Sequence, residues 1–214
     1  MATGARRASG ARVAVFARAP VPGEVKTRLI PLLGAADAAE LHAMLVRRAL
    51  ATALDAGIGP VSLWGTPDTG HPFFAACAER FGATLHEQRG GHLGERMARA
   101  FDRLLAEGPA LLIGSDCPSL RAEDLRAAAV SLATHDAVLQ PAEDGGYVLV
   151  GLSRPVPGLF EGLRWGEASV MRDTRVRLRA AGATWREMPV RWDVDRPEDY
   201  RRLIASGLLA EARP

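Results

Sequence analysis

The constraint that does most to limit the fold of this chain is a repeated alternation. Short, almost wholly apolar runs are followed by longer stretches with helical spacing, from residue 13 almost to the end. Val13 to Ala17, Val61 to Trp64, Ala83 to His86, Ala110 to Gly114, Ala137 to Gln140 and Tyr147 to Leu152 read as strands. Runs that lack a polar face are strands buried on both sides. Between them, residues 37–56, 72–80, 94–107 and 120–133 carry apolar residues at helical spacing, and 167–181 and 197–205 follow. Gly57, Gly108–Pro109 and Gly182 stand where such helices stop. Residues 184–194 read as extended. Strands alternating with helices imply a largely parallel sheet covered on both faces, an α/β three-layer sandwich.

The chain has 214 residues, of which 48% are hydrophobic, enough for one sizeable core and too few for two large domains. A single domain over residues 13–214 is expected, preceded by a disordered tail over residues 1–12. Net charge is +2, which argues against a polyanionic partner such as nucleic acid. No apolar run is long enough to span a bilayer, and the Arg-containing start has no hydrophobic stretch before Val13. Cys77 and Cys117 are far apart and lack metal-ligand spacing. Together these features predict a cytoplasmic protein with free thiols. They leave the oligomeric state open.

In such a sheet, ligands bind beyond the carboxyl ends of strands, so the residues that follow each strand carry the functional argument. After the first strand comes Ala17-Arg18-Ala19-Pro20-Val21-Pro22-Gly23-Glu24-Val25-Lys26-Thr27-Arg28. Two prolines stiffen this loop and Gly23 permits a tight turn. Arg18, Lys26 and Arg28 suit the phosphates of a nucleotide, since Arg offers a fork and Lys a compact charge. A basic surface loop would carry the same residue types. Lys26 is the only lysine among the 27 basic residues, which suggests that an amine is needed at that position. The loop has neither P-loop nor Gly-x-Gly-x-x-Gly spacing.

The fourth strand runs into Gly114-Ser115-Asp116-Cys117-Pro118-Ser119-Leu120. Asp116, just past the strand end, can hold Mg²⁺ or Mn²⁺ against phosphate oxygens, while Ser119 is the better placed residue to cap the next helix. A third cluster, Trp192-Asp193-Val194-Asp195-Arg196-Pro197, leads into the last helix. Alternation points Asp193 and Asp195 to one side, so either can complete a metal site with Asp116. Acidic residues at a helix start also serve the helix dipole. Gln88 to Arg96 is a Gly-rich turn entering a helix, suited to a base or ribose. Asp144-Gly145 is a hairpin signal whose neighbours Asp144 and Tyr147 can also face an acceptor. Trp165 lies in a loop where an aromatic can stack on a sugar or base.

Taken in order, Phe16-Ala17-Arg18-Ala19-Pro20, Lys26-Thr27-Arg28-Leu29, Leu93-Gly94-Glu95-Arg96-Met97, Gly114-Ser115-Asp116-Cys117-Pro118, Glu143-Asp144-Gly145-Gly146-Tyr147 and Asp193-Val194-Asp195 resemble the motifs of the DUF2064 family of bacterial proteins. That family is also catalogued as glycosyltransferases and is distantly similar to nucleotidyltransferases of the molybdenum-cofactor and phospholactate types. The resemblance implies a nucleotide-diphospho-sugar-transferase (GT-A-like) fold. It also implies a metal-dependent transferase that uses a nucleotide-sugar or a nucleoside triphosphate and a small-molecule acceptor.

The resemblance implies phosphate contacts from Lys26 and Arg28, and a metal held by Asp116 with Asp195. With the residue patterns above, Lys26, Arg28 and Asp116 are expected to be catalytic, Ala17, Arg18, Lys26, Arg28, Gln88, Gly94 and Ser115 to bind the nucleotide, and Asp144, Gly145, Gly146 and Tyr147 the acceptor. Two departures stand out. His92 occupies a position that is usually acidic, and Arg196 replaces a threonine beside the proposed metal ligand.

Overall fold

A computed structural model of the chain describes residues 10–208. The tail expected over residues 1–12 falls outside the described residues as far as residue 9, and by Arg12 the chain is already in the first strand. Seven strands form one sheet: β1 (Arg12–Arg18), β2 (Val61–Thr66), β3 (Thr84–Glu87), β4 (Ala110–Gly114), β5 (Ala137–Pro141), β6 (Tyr147–Leu152) and β7 (Trp185–Glu187). Their order is β3-β2-β1-β4-β6-β5-β7. β6 runs antiparallel to both its neighbours, and every other pairing is parallel.

The helices are α1 (Ile30–Leu33), α2 (Ala35–Ala56), α3 (Pro72–Phe81), α4 (Leu93–Leu105), α5 (Ala122–Ser131), α6 (Val170–Ala180) and α7 (Pro197–Ser206). On one face of the sheet, Val46 and Leu50 of α2, Phe74 of α3 and Leu125 of α5 pack on Val13, Val15, Leu63 and Ile113. On the other face, Met97 and Phe101 of α4 and Met171 and Leu178 of α6 pack on Ala14, Leu112, Leu139 and Val150. The even and odd residues of β1 and β4 therefore serve opposite cores, as the pleat requires. This is the expected three-layer α/β sandwich with a mostly parallel mixed sheet.

A third, smaller core lies at the end of the sheet. Leu29, Leu41, Leu45, Trp192, Val194 and Leu203 are buried together there. It joins the loop after β1, the first half of α2, residues 192–194 and α7, and it supports the strand ends where ligands bind in such folds.

Two local features differ from the sequence reading. Residues 184–194 contain only the short strand β7; beyond it the chain keeps one isolated bridge, Ala142 to Arg191. Residues 27–33, read as the end of a loop and its continuation, form a 3-10 turn (Thr27–Leu29) that leads into α1. Pro31 is no obstacle there, since an N-terminal helical position has no internal N–H bond to lose.

His92 accounts for one of the two departures from the family pattern. Its Nδ1 accepts the backbone N–H of Glu95 at 3.2 Å, while Glu95 Oε2 accepts the N–H of Gly91 at 2.9 Å. The imidazole thus caps α4 as a carboxylate would. His71 caps α3 in the same way through the N–H of Phe73. No helix among the described residues is long and apolar enough to cross a membrane.

Candidate active site

Lys26 and Asp116, one from the loop after β1 and the other from the loop after β4, meet at the carboxyl end of the sheet. Lys26 Nζ lies 2.5 Å from Asp116 Oδ1 and donates to the carbonyl of Val194 at 2.6 Å. The backbone N–H of Val194 donates in turn to the carbonyl of Asp116 at 2.8 Å. One ammonium therefore ties three chain segments together. Lys26 is buried, and it is the only non-glycine residue with positive φ among the described residues, at 49°. A left-handed lysine persists only where its surroundings hold it there, and here a carboxylate and a carbonyl do so.

His42 of α2 is a second support that the sequence reading did not single out. It is buried, with Nε2 3.1 Å from the carbonyl of Arg18 and Nδ1 3.7 Å from Asp116 Oδ1. A backbone carbonyl can only accept, so Nε2 carries a hydrogen. The only sequence signal was a polar residue on the buried stripe of α2.

Burial opposes ionisation of Asp116, but the Lys26 charge and His42 outweigh it and hold the carboxyl well below the usual carboxylate range. Oδ1 is fully buried while the side chain as a whole is 48% exposed, so the exposed oxygen is Oδ2.

Asp116 and Asp193 both line a cavity of about 230 Å³. Its floor and walls are apolar, formed by Phe16, Leu93, Met97, Leu112, Val150, Val170, Tyr147 and Trp165, and its acidic side adds Asp144 and Glu167. Asp193 is pushed up to about 6, first by burial and then by the neighbouring charges of Asp144 and Asp116. Cys117, also on the wall, has its thiol pushed up by burial to about 11, which leaves it a poor nucleophile.

Several expected residues take other duties. Asp195 pairs with Arg28 and is absent from the cavity wall, whereas Asp193 lines it. The two carboxylates expected on one side thus part company, and Val194 between them bonds through its backbone to both Lys26 and Asp116. Arg196, the other departure from the family pattern, is exposed, and the guanidinium that meets Asp195 is that of Arg28. Arg28 is 59% exposed and Arg18 is exposed, so both are accessible to a ligand.

Gln88 is buried, and its amide donates to the carbonyls of Ala17 and Trp64 at 3.1 and 2.8 Å, so those donors fasten β1 to β2 instead of facing solvent. Ala17 and Ser115 are buried beside the strand ends. Ser119 does not cap α5. That helix begins at Ala122, with Asp124 accepting the N–H of Arg121, while Ser119 Oγ donates to the carbonyl of Trp192 at 3.3 Å.

Gly94 and Gly145 have packing reasons. A Cβ on Gly94 would meet the Phe160 carbonyl at 2.4 Å and Trp165 Nε1 at 2.7 Å, and one on Gly145 would meet the Ala168 carbonyl at 2.4 Å. Both glycines let the loop carrying Trp165 close over the cavity. Gly145 also has φ of 90°, and Asp144 accepts the N–H of Gly146 at 2.9 Å, which completes the expected turn between β5 and β6. Tyr147 and Trp165 meet edge to face, 6.1 Å between ring centres, on the cavity wall. Burial pushes the Tyr147 phenol upward, so it stays protonated.

The family model for DUF2064, an uncharacterized protein conserved in bacteria, matches residues 36–167. The chain belongs to that family. Its DUF2064 architecture is also that of a solved protein from Desulfovibrio desulfuricans G20, provisionally assigned as a nucleotide-diphospho-sugar transferase. The two are 31% identical with a TM-score of 0.85, over 93% of this chain and 88% of that one. The fold is shared with Rv0371c from Mycobacterium tuberculosis H37Rv, solved as a manganese complex (23% identity, TM-score 0.55, 93% of this chain and 100% of that one). It is shared too with the inositol-1-phosphate CTP transferase from T. maritima (11% identity, TM-score 0.62, 95% and 96% covered). No curated protein matches the sequence. The DUF2064 chain therefore has a nucleotide-diphospho-sugar-transferase or cytidylyltransferase type of fold.

A divalent metal is a group that such folds imply. Among the described residues, no set of three or more His, Cys, Asp or Glu is arranged as a metal cage. Mg²⁺, however, is commonly held by one or two carboxylates, with waters and substrate phosphates completing the shell. Asp116 Oδ2 and the Asp193 carboxylate, crowded by like charge and facing one cavity, fit that arrangement.

Proposed function

We propose that the chain transfers a sugar from a nucleotide diphosphate to a small acceptor, with Mg²⁺ or Mn²⁺ as cofactor. The observation that carries this reading is the Lys26–Asp116–Val194 junction, which ties the cationic loop after β1 to Asp116, whose accessible oxygen and the Asp193 carboxylate share one cavity.

Asp116 and Asp193 would hold the metal, which when bound neutralises charge on the diphosphate. Arg28, and Arg18 beside it, would bind phosphate oxygens; their exposure leaves them free to reach a ligand, and Arg28 exchanges an exposed carboxylate partner for a phosphate. Lys26 is a positioning residue in this scheme, since its charge is directed at Asp116 and not at solvent. The acceptor hydroxyl would attack the anomeric carbon. Its proton would pass to Asp144, a new C–O bond would form, and the bond to the diphosphate would break with its electron pair leaving on the nucleotide. Positioning and a preorganised field supply most of the rate enhancement in such a site.

A second reading is a nucleotidyltransferase, favoured by the fold shared with a CTP transferase and by the suitability of the arginines for a triphosphate. The products separate the two. Incubation with Mn²⁺ and a panel of nucleotide sugars should release free nucleoside diphosphate. Pyrophosphate release from nucleoside triphosphates, with no turnover of any nucleotide sugar, would reverse the assignment.

A further inference from the structure

The cavity beside Asp116 differs in chemistry from the loop that would bind the donor. Its lining contains four carboxylates, from Asp116, Asp144, Glu167 and Asp193, and no lysine, arginine or histidine. Two of the four have cationic partners that are not part of the lining: the buried Lys26 for Asp116 and the exposed Arg164, whose Nε is 3.3 Å from Glu167. Asp144 and Asp193 stand in the same lining with no side-chain ion-pair partner there. With no metal bound, the lining itself offers carboxylates and no cation.

The rest of the lining is apolar and aromatic, and in it Trp165 and Tyr147 meet edge to face. At about 230 Å³ the cavity is smaller than the ~300–1,000 Å³ of typical whole-ligand sites, so it takes one part of the reacting pair. The exposed arginines lie on the loop after β1, outside this lining.

We infer that this cavity is the acceptor subsite of the proposed transferase, and that its acceptor is an unphosphorylated, neutral or cationic small molecule with one apolar face and a hydroxyl on the other. A hydroxyl donates to the carboxylates and an apolar ring face rests on Trp165, as sugars and aliphatic rings do on aromatics. Without a metal, a phosphate monoester would bring a dianion among carboxylates with no cation in the lining to receive it, and like charges at close range are strongly disfavoured. The inference rests on the transferase reading for the word acceptor; the ligand preference of the cavity stands without it.

The test uses three probes with one scaffold: hexyl β-D-glucoside (neutral), its 2-amino-2-deoxy analogue (cationic) and its 6-phosphate (dianionic). Each is titrated into the full chain without nucleotide or metal, with tryptophan fluorescence as the readout and Trp165→Phe as the control that locates the signal. The neutral and cationic probes should bind through the Trp165 signal, and the phosphate at least about tenfold more weakly. Asp144→Lys should narrow or reverse that gap. Equal or tighter binding of the phosphate, or no Trp165-dependent binding by any probe, overturns the inference. Failure of the transferase reading looks different. The binding preference would hold while no nucleotide sugar is turned over. Conversely, nucleoside diphosphate release stimulated by the phosphorylated probe alone would sink the acceptor class and leave the transferase standing.

Discussion

Lys26 shows how one side chain can matter without facing the ligand. Its ammonium sits between the Asp116 carboxylate and the Val194 carbonyl, 2.5 and 2.6 Å away, and it is buried. A compact ammonium can satisfy both partners from one point, whereas a planar guanidinium is larger and directs its donors in a fixed fork. Lys26→Arg keeps the charge but should displace Asp116 or the 192–194 segment. A misplacement of an ångström at such a site costs on the order of 100-fold in rate. The expected outcome is a fall of that order in kcat/KM, with far-ultraviolet circular dichroism unchanged. Wild-type kcat/KM in the variant would mean that any cation serves. The sequence pointed to this residue through its solitary chemistry among 26 arginines, but read the amine as a phosphate ligand. What it did not expose was the partner: Val194 is 168 positions away, and no local pattern reports such a contact.

At the level of elements, the segment after β7 is tied to the sheet by single backbone bonds, such as Met188 N–H to the Leu139 carbonyl at 2.8 Å and Arg191 N–H to the Pro141 carbonyl at 2.9 Å. Arg191 adds a side-chain anchor. Its guanidinium donates Nε and Nη2 to the two oxygens of Asp124 at 3.0 and 2.6 Å, and Asp124 also accepts the N–H of Arg121 at the start of α5. Burial opposes ionisation of Asp124, but Arg191 and the Arg121 N–H outweigh it and hold the carboxyl below its ordinary value. A carboxyl depressed on folding stabilises the native state above its unfolded pKa of about 3.9. That stability is lost as pH falls through the lower folded value. Asp124→Asn should therefore cost about 2 kcal/mol at neutral pH, and the gap to wild type should close as pH falls below about 4. Urea denaturation at a series of pH values measures both. A gap that widened on acidification would contradict the pairing.

The elements themselves were readable: the strand positions and most helix spans follow from short apolar runs and 3.6-residue spacing. The exceptions have physical causes. The extended reading of 184–194 overran β7 because alternation continues where ladder bonding stops, and Ser119 lost the capping role because α5 starts two residues beyond the turn it occupies.

For the whole molecule, the sheet order puts β1 and β4 side by side at its centre, so the loops after them share one edge although 90 residues separate Lys26 from Asp116. Alternating strands and helices announced a doubly covered sheet and directed attention to its carboxyl end. They could not give the strand order; the hairpin signal at Asp144-Gly145 pointed to the antiparallel β5–β6 pair, but not to the antiparallel pairing of β6 with β4. Some members of the cavity were singled out from sequence: Asp116, Asp144, Tyr147 and Trp165 all line it. Its apolar floor, formed by Phe16, Leu93, Met97 and Val150, reads in sequence as ordinary core. Asp193 and Asp195 were left as alternatives because strand-like alternation treats them alike; tertiary bonds to Val194 separate them.

If Asp116 Oδ2 serves a metal-assisted transfer at this cavity, nucleotide-sugar turnover with and without Mn²⁺, in wild type and in Asp116→Asn, will show it. Asparagine keeps the shape and removes the charge. The wild type should release nucleoside diphosphate in a Mn²⁺-dependent way, and the variant, with its fold intact, should lose both turnover and Mn²⁺ dependence. Undiminished, Mn²⁺-stimulated turnover in Asp116→Asn would rule Asp116 out as a metal ligand.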